Sequence, residues 1–193
     1  KYIEKLYNKN KIQFNYNTND YKLDRKLNRK AVGRIDKYAK RSKLFNTSIS
    51  TLEGATLGFW GMGLPDIPLF TAMILKTIYE ISLSYGFLYE REEEKIYILN
   101  LIKASLTSGE IQRKYNHKVE LLADKIDGHI DFKYDLDKEI INTSRILSDS
   151  MLASKFIQGI PVVGAVGSIA NYSIINKISK YSAIKYKKRY LNN

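Results

Sequence analysis

The stretch Leu64–Gly86, LPDIPLFTAMILKTIYEISLSYG, decides the fold class. Pro65-Asp66-Ile67-Pro68 is a sharp break. Asp66 has the short acceptor side chain of a helix N-cap, and Pro68 suits a first turn, where no intrahelical donor is required. From there Ile67, Phe70, Ile74, Ile78, Ile81 and Tyr85 recur every three or four residues, which places them on one helical face. Gly86 is a natural stop. Nothing here alternates with the two-residue period of a strand.

The same reading extends in both directions. Glu90, Glu92, Glu93 and Glu94 complement the positive end of a helix dipole, and Ile96, Leu99, Ile102 and Leu106 supply the apolar stripe of that helix. Residues 111–127 predict another helix through Ile111, Tyr115, Val119, Leu122 and Ile126. Asp135 or Asp137 begins a further one, which carries Ile140, Ile141, Ile146 and Leu147 towards Phe156. A last helix holds Ile174, Ile178 and Tyr181. Upstream, Leu23, Leu27, Ala31, Ile35 and Tyr38 predict a basic amphipathic helix from near Asp20 to about Leu44. Residues 1–19 are Asn-rich without a clean period and read as a loop or loose arm. The expectation is an all-α fold: a compact bundle of about six to eight helices, with a polar N-terminal arm at 1–19 and a single helical domain at 20–193. No repeat of fixed period is visible.

Two segments stand apart from ordinary amphipathic helices. Phe156–Ile175 runs 20 residues without a charge, about the thickness of a bilayer core at 1.5 Å per residue, yet it contains Pro161 and three glycines. Ala55–Leu75 has Asp66 as its sole charge and is split by Pro65 and Pro68. These Gly/Pro-punctuated segments suit buried core helices, hairpins lying at a membrane interface, or spans; an acid and two prolines argue against a simple span. Phe59, Trp60, Met62 and Leu64 are large apolar residues set among glycines, as at a membrane-contacting tip. Alternatively, Trp60 is a core anchor.

The net charge of +12 is unevenly placed. Residues 1–45 hold 14 basic and four acidic residues (+10); residues 172–193 hold six basic and none acidic (+6); residues 46–171 hold 12 basic and 16 acidic (−4). Such ends suit nucleic acid, an anionic membrane or an acidic protein, although a Lys-, Asn- and Ile-rich composition also arises without any partner. At the C-terminal end Tyr172, Tyr181, Tyr186 and Tyr190 interleave with Lys177, Lys180, Lys185, Lys187, Lys188 and Arg189 directly after an apolar stretch. That arrangement reads as lipid contact by the tyrosines and anionic-headgroup contact by the basic residues, at about 1 kcal/mol for each of the latter.

Catalytic signatures are sparse. The chain has no cysteine, which excludes disulfides, thiolate nucleophiles and Cys-bound zinc. His117 and His129 are the only histidines and fall in no metal-binding motif. Gly61-Met62-Gly63 lacks the third glycine of a dinucleotide fingerprint, and neither a phosphate-binding loop nor a nucleophile elbow occurs. No metal or cofactor is expected. Asp66, Lys76 and Glu80 are a candidate buried polar cluster. Lys1 opens the chain in place of Met, which leaves a targeting segment upstream open.

The ordered set of features resembles the EcsC family: the Gly-rich helix and proline break within Gly54–Gly86, the acids Glu92–Glu94, then Ile160-Pro161-Val162-Val163-Gly164, Asn171 and the tail Lys187-Lys188-Arg189-Tyr190-Leu191. It covers roughly residues 30–191, leaving the N-terminal arm without a matched counterpart. The resemblance implies a helical bacterial protein at the cytoplasmic face of the membrane or in the cytoplasm, from a family named for a gene beside an ABC transporter and without an agreed activity. The expected function is therefore non-catalytic: binding of lipid or the anionic membrane surface, with a transporter or secretion system as possible partner. Two other readings stand beside it, a nucleic-acid-binding module using the basic N-terminal helix and a hydrolase using Asp66 and Glu80.

Overall fold

The computed structural model describes residues 3–25, 33, 36–37, 67–157 and 165–192. Within these the fold is all-α, as the periodicities predict: a short 3-10 turn, Ile3–Leu6, and six α-helices. They are α1 (Lys9–Arg25), α2 (Ile67–Ser84), α3 (Glu92–Leu106), α4 (Gly109–Asp127), α5 (Leu136–Ile157) and α6 (Ala165–Asn192). None of the helices among the described residues is long and apolar enough to cross a membrane. Most of Ala55–Leu75 and the middle of Phe156–Ile175 lie outside the described residues, as does most of the basic helix expected beyond Arg25.

The centre of the bundle is α3, which packs on α4, α5 and α6; α2 packs on α6 and is covered in turn by α1. Ile74, Ile78, Ile81, Ile96, Tyr97, Leu101, Val119, Ile175, Ile178 and Tyr186 form the core. The stripe read for α2 is buried at Phe70, Ile74, Ile78, Ile81 and Tyr85, but Lys76, Thr77, Glu80, Ser82 and Ser84 are buried with it. This helix is enclosed on nearly all sides, so amphipathic periodicity understates its burial. The α4 stripe is buried at Val119, Leu122 and Ile126, whereas Ile111 at its start stays exposed.

Local chemistry sets the helix ends. Asp135 accepts a hydrogen bond from the Lys138 amide at 2.9 Å and so caps α5. The α2 C-terminus closes in a Schellman arrangement: the Phe87 amide donates to the Ser82 carbonyl (2.9 Å) and the Gly86 amide to Leu83 (3.1 Å). Gly86 has φ +85°, and a Cβ there would come 2.3 Å from the Tyr16 ring of α1. Its bare backbone thus serves both the left-handed turn and the close approach of α1. The same hydrogen-bond pattern ends α4, where the Ile130 amide reaches Lys125 and the His129 amide reaches Ile126. His129 takes the left-handed position at φ 53°, a backbone role.

Residues 3–19 are not a loose arm: they hold the 3-10 turn and most of α1. Asn8 caps α1 by accepting from the Lys11 amide at 2.9 Å, and Ile12, Tyr16 and Asn19 turn inward on one face. Tyr7 donates to the Tyr89 hydroxyl at 2.5 Å, and Tyr89 stacks on Tyr79 of α2 with centroids 4.0 Å apart. Few aliphatic residues mark this face, so its helicity comes from docking on α2.

Candidate functional site

The C-terminal helix carries the residues expected to meet a membrane, and its two faces differ in what they do. On the inner face Ile175, Ile178, Ser182, Tyr186 and Arg189 step by three and four residues, and all are buried. Arg189 is 4% exposed. Its Nη1 donates to Glu94 Oε1 of α3 at 2.8 Å, while Nε and Nη2 grip both carboxylate oxygens of Asp127 of α4 at 2.9 and 2.6 Å. The guanidinium also lies 4.2 Å from the Phe87 ring centroid and 4.4 Å from that of Tyr97. Tyr186, fully buried, donates to the same Glu94 oxygen at 2.7 Å. Burial disfavours the guanidinium charge, but hydrogen bonds to Asp127 and the charge of Glu94 override it and raise the pKa of Arg189. Burial pushes the Glu94 carboxyl up, against the opposing pull of Arg189 and Tyr186. Arg189 and Tyr186 thus converge on one oxygen of Glu94.

The adjacent turn is tied down in the same way. Lys185 and Lys188 each donate to one oxygen of Glu120 on α4. Burial works against ionisation of Glu120, yet the two lysines outweigh it and hold the carboxyl below the ordinary value of 4.5. Lys187 reaches Asp36 Oδ2 at 2.5 Å, and Tyr85 donates to the other Asp36 oxygen at 2.9 Å. Tyr181 donates to Asn116 at 2.7 Å, and Tyr190 to Asp20 of α1 at 2.8 Å. A cleft of about 310 Å³ lies between the end of α6 and α4; Lys185, Lys188 and Arg189 line it together with the acids that engage them.

This corrects the sequence reading at two residues. Tyr186, expected against lipid, sits in the core, and Arg189, expected at a headgroup, is the interior link between α3, α4 and α6. Lys185, Lys187 and Lys188 have intramolecular partners, and Tyr181 and Tyr190 are half-buried with theirs. Three acids of the central region, with Asp36 from the N-terminal one, thus neutralise much of the basic tail.

The outer face of α6 is different. Lys177, Lys180, Ile184 and Leu191 fall along one stripe and all are exposed, Ile184 at 64% and Leu191 at 58%. Lys177 and Lys180 make no ion pair among the described residues. Tyr172 is also exposed, near the start of the helix. Phe59, Trp60, Met62 and Leu64 lie outside the described residues.

Of the expected polar cluster, Lys76 and Glu80 pair within α2 at 3.3 Å, both buried; Asp66 lies outside the described residues. The periodicity did not point to a second, partly buried site, where Lys103 of α3 donates to Glu139 of α5. Lys118 of α4 donates to the other Glu139 oxygen at 2.6 Å, and Lys103 stands 5.1 Å from the Tyr115 ring centroid. Burial pulls the Lys103 ammonium down despite Glu139; Glu139 is held low because its two lysines outweigh its own burial. Among the described residues no cluster of three His, Asp or Glu is placed to hold a metal ion.

The Glu94–Arg189–Asp127 link did have a signal in the sequence. Continuing the inner-face spacing of α6 from Ile178 lands on Ser182, Tyr186 and Arg189. Reading the basic residues as one group obscured it.

The fold and charge layout can be set beside known proteins. The uncharacterized protein YdbA of Bacillus subtilis (strain 168) is 29% identical over 168 residues, spanning 80% of this chain and 57% of YdbA. The chain thus corresponds to little more than half the length of that relative. No solved structure matches it. The EcsC protein family model matches residues 2–191, including the N-terminal segment that the resemblance in the sequence had left out. The chain belongs to the EcsC protein family.

Proposed function

We propose that the chain engages an anionic membrane surface peripherally, through the outer face of α6. The observation carrying this reading is the stripe Lys177, Lys180, Ile184 and Leu191, which is exposed and contains two lysines without an acidic partner among the described residues. Lysines next to bare aliphatic side chains suit the headgroup boundary: the ammonium groups meet lipid phosphates while Ile184 and Leu191 enter the apolar edge. The inner face fixes α6 to the bundle, so the helix lies along the surface it meets. Two lysines contribute about 2 kcal/mol, and partly inserted aliphatic side chains add to that. Binding by this stripe alone is weak and reversible. In this reading Phe59, Trp60, Met62 and Leu64 supply a second contact.

The test is flotation of the protein with liposomes, neutral against anionic, at low and high salt. The proposal expects co-flotation with anionic liposomes that weakens but persists at high salt, since charge is screened and apolar insertion is not. Replacing Lys177 and Lys180 by Gln should release much of the bound protein. Failure to float on any liposome would overturn the reading.

A further inference from the structure

The inward face of α5 is held by buried Thr143 and Leu147, with Glu139 engaged by Lys103 and Lys118. Its opposite face is exposed. Ile140, Ile141, Ser144, Arg145, Ser148 and Asp149 border an open depression of about 480 Å³. Leu152 continues the same face one turn on, and Ile141 and Leu152 are 51% and 53% exposed. Large aliphatic side chains are left in water beside serines small enough to admit a close neighbour. Arg145 and Asp149 lie one turn apart at the edge of this face, and neither makes an ion pair among the described residues.

From this pattern we infer that the face pairs with the same face of a second copy of the chain, the two α5 helices running antiparallel about a two-fold axis. The charge order selects this occupant and this direction. An axis level with Leu147 sets Arg145 of each copy beside Asp149 of the other, and brings Ile141 against the turn holding Leu152. A parallel pair would place like charge on like charge. A two-fold contact requires a self-complementary patch, and a basic and an acidic residue equally spaced about the axis, with Ile141 and Leu152 on either side of them, provide one. A 22-residue helix is about 33 Å long, so one helix pair buries less than the roughly 1,600 Å² of a standard interface. The dimer is accordingly expected to dissociate in the micromolar range. This pairing needs no lipid and is independent of the α6 stripe.

The test is sedimentation of the chain without lipid over a wide concentration range. A concentration-dependent monomer–dimer equilibrium is expected. Arg145→Asp and Asp149→Arg should each weaken it by about tenfold or more, because each creates like-charge neighbours. The double reversal should restore it to within about threefold. Both side chains are exposed, so circular dichroism should show unchanged helix content. A second readout uses the absence of native cysteine. Ser148 lies within a residue of the axis, so Ser148→Cys should form an intermolecular disulfide on mild oxidation. The exposed control Ser108→Cys should not. A monomer at every concentration, a dimer indifferent to either single reversal, a double reversal as weak as the singles, or Ser148→Cys linking no faster than Ser108→Cys would each overturn the inference.

Discussion

The middle and late turns of α6 both carry basic residues and use them in opposite ways. In the turns at 177–180 two lysines face outward without partners among the described residues; at 185–189 three lysines and an arginine are drawn to Glu120, Asp36, Glu94 and Asp127. The difference follows from the neighbours. The late turns pass α4 and the start of α3, where the central acids are concentrated, and a carboxylate within reach converts a basic side chain from a surface charge into an internal tie. Lysine occurs in both regions, so residue type alone does not separate them; the surroundings do.

The sharpest way to break this contrast is Arg189→Met. It keeps apolar bulk but leaves Glu94 and Asp127 uncompensated, and the expected loss is about 3–5 kcal/mol by urea denaturation. An unchanged midpoint would mean that the late turns are no more internal than the middle ones. Next in size is Glu120→Gln, which should cost about 1–2 kcal/mol, since the pair is partly exposed. It should also alter the pH response. Glu120 is held below 4.5 when folded, so the unfolded chain binds that proton more readily. Its stabilisation is present above pH 4.5 and lost as the pH falls through the lower folded value. Thermal melts from pH 7 to pH 3 should therefore show a shallower acid decline in Glu120→Gln, with the remaining slope shared by Glu139, which is shifted in the same direction. Smaller again is Tyr186→Phe, which removes one hydrogen bond to Glu94 but keeps the ring packing; about 1 kcal/mol is expected in the same denaturation assay. The smallest effect on stability belongs to the middle turns. The pair Lys177→Gln and Lys180→Gln should leave stability within about 0.5 kcal/mol, while binding to anionic liposomes falls by roughly thirtyfold, or about 2 kcal/mol. A matching loss of stability would erase the distinction between the two regions.

Much of the fold was legible because it rests on local rules. The run of Ile and Tyr through α2, the acids opening α3 and the Asp135 cap of α5 are short-range signals, and each element stands where they put it. Helix α1 was missed because its inward face is made of Ile12, Tyr16 and Asn19, too polar to show a stripe, and because docking on α2 supplies its stability. The Asn8 cap was the one available sign. The site was less legible. Lys177 and Lys180 are exposed, whereas Tyr186 and Arg189, read as surface residues, are buried. A Tyr beside several Lys reads as an interfacial residue until its position on the helix is known.

The sequence by itself determined the helical class, most helix boundaries, the basic ends with an acidic centre, and the family. These depend on residue type and on spacing within about one turn, which the chain carries in its order. Only the tertiary structure decided which charges face solvent. Arg189 meets Glu94 across 95 residues and Lys187 meets Asp36 across 151. Such pairings depend on helix packing and rotation, and a few tens of degrees about the axis of α6 turn a headgroup ligand into a core tie.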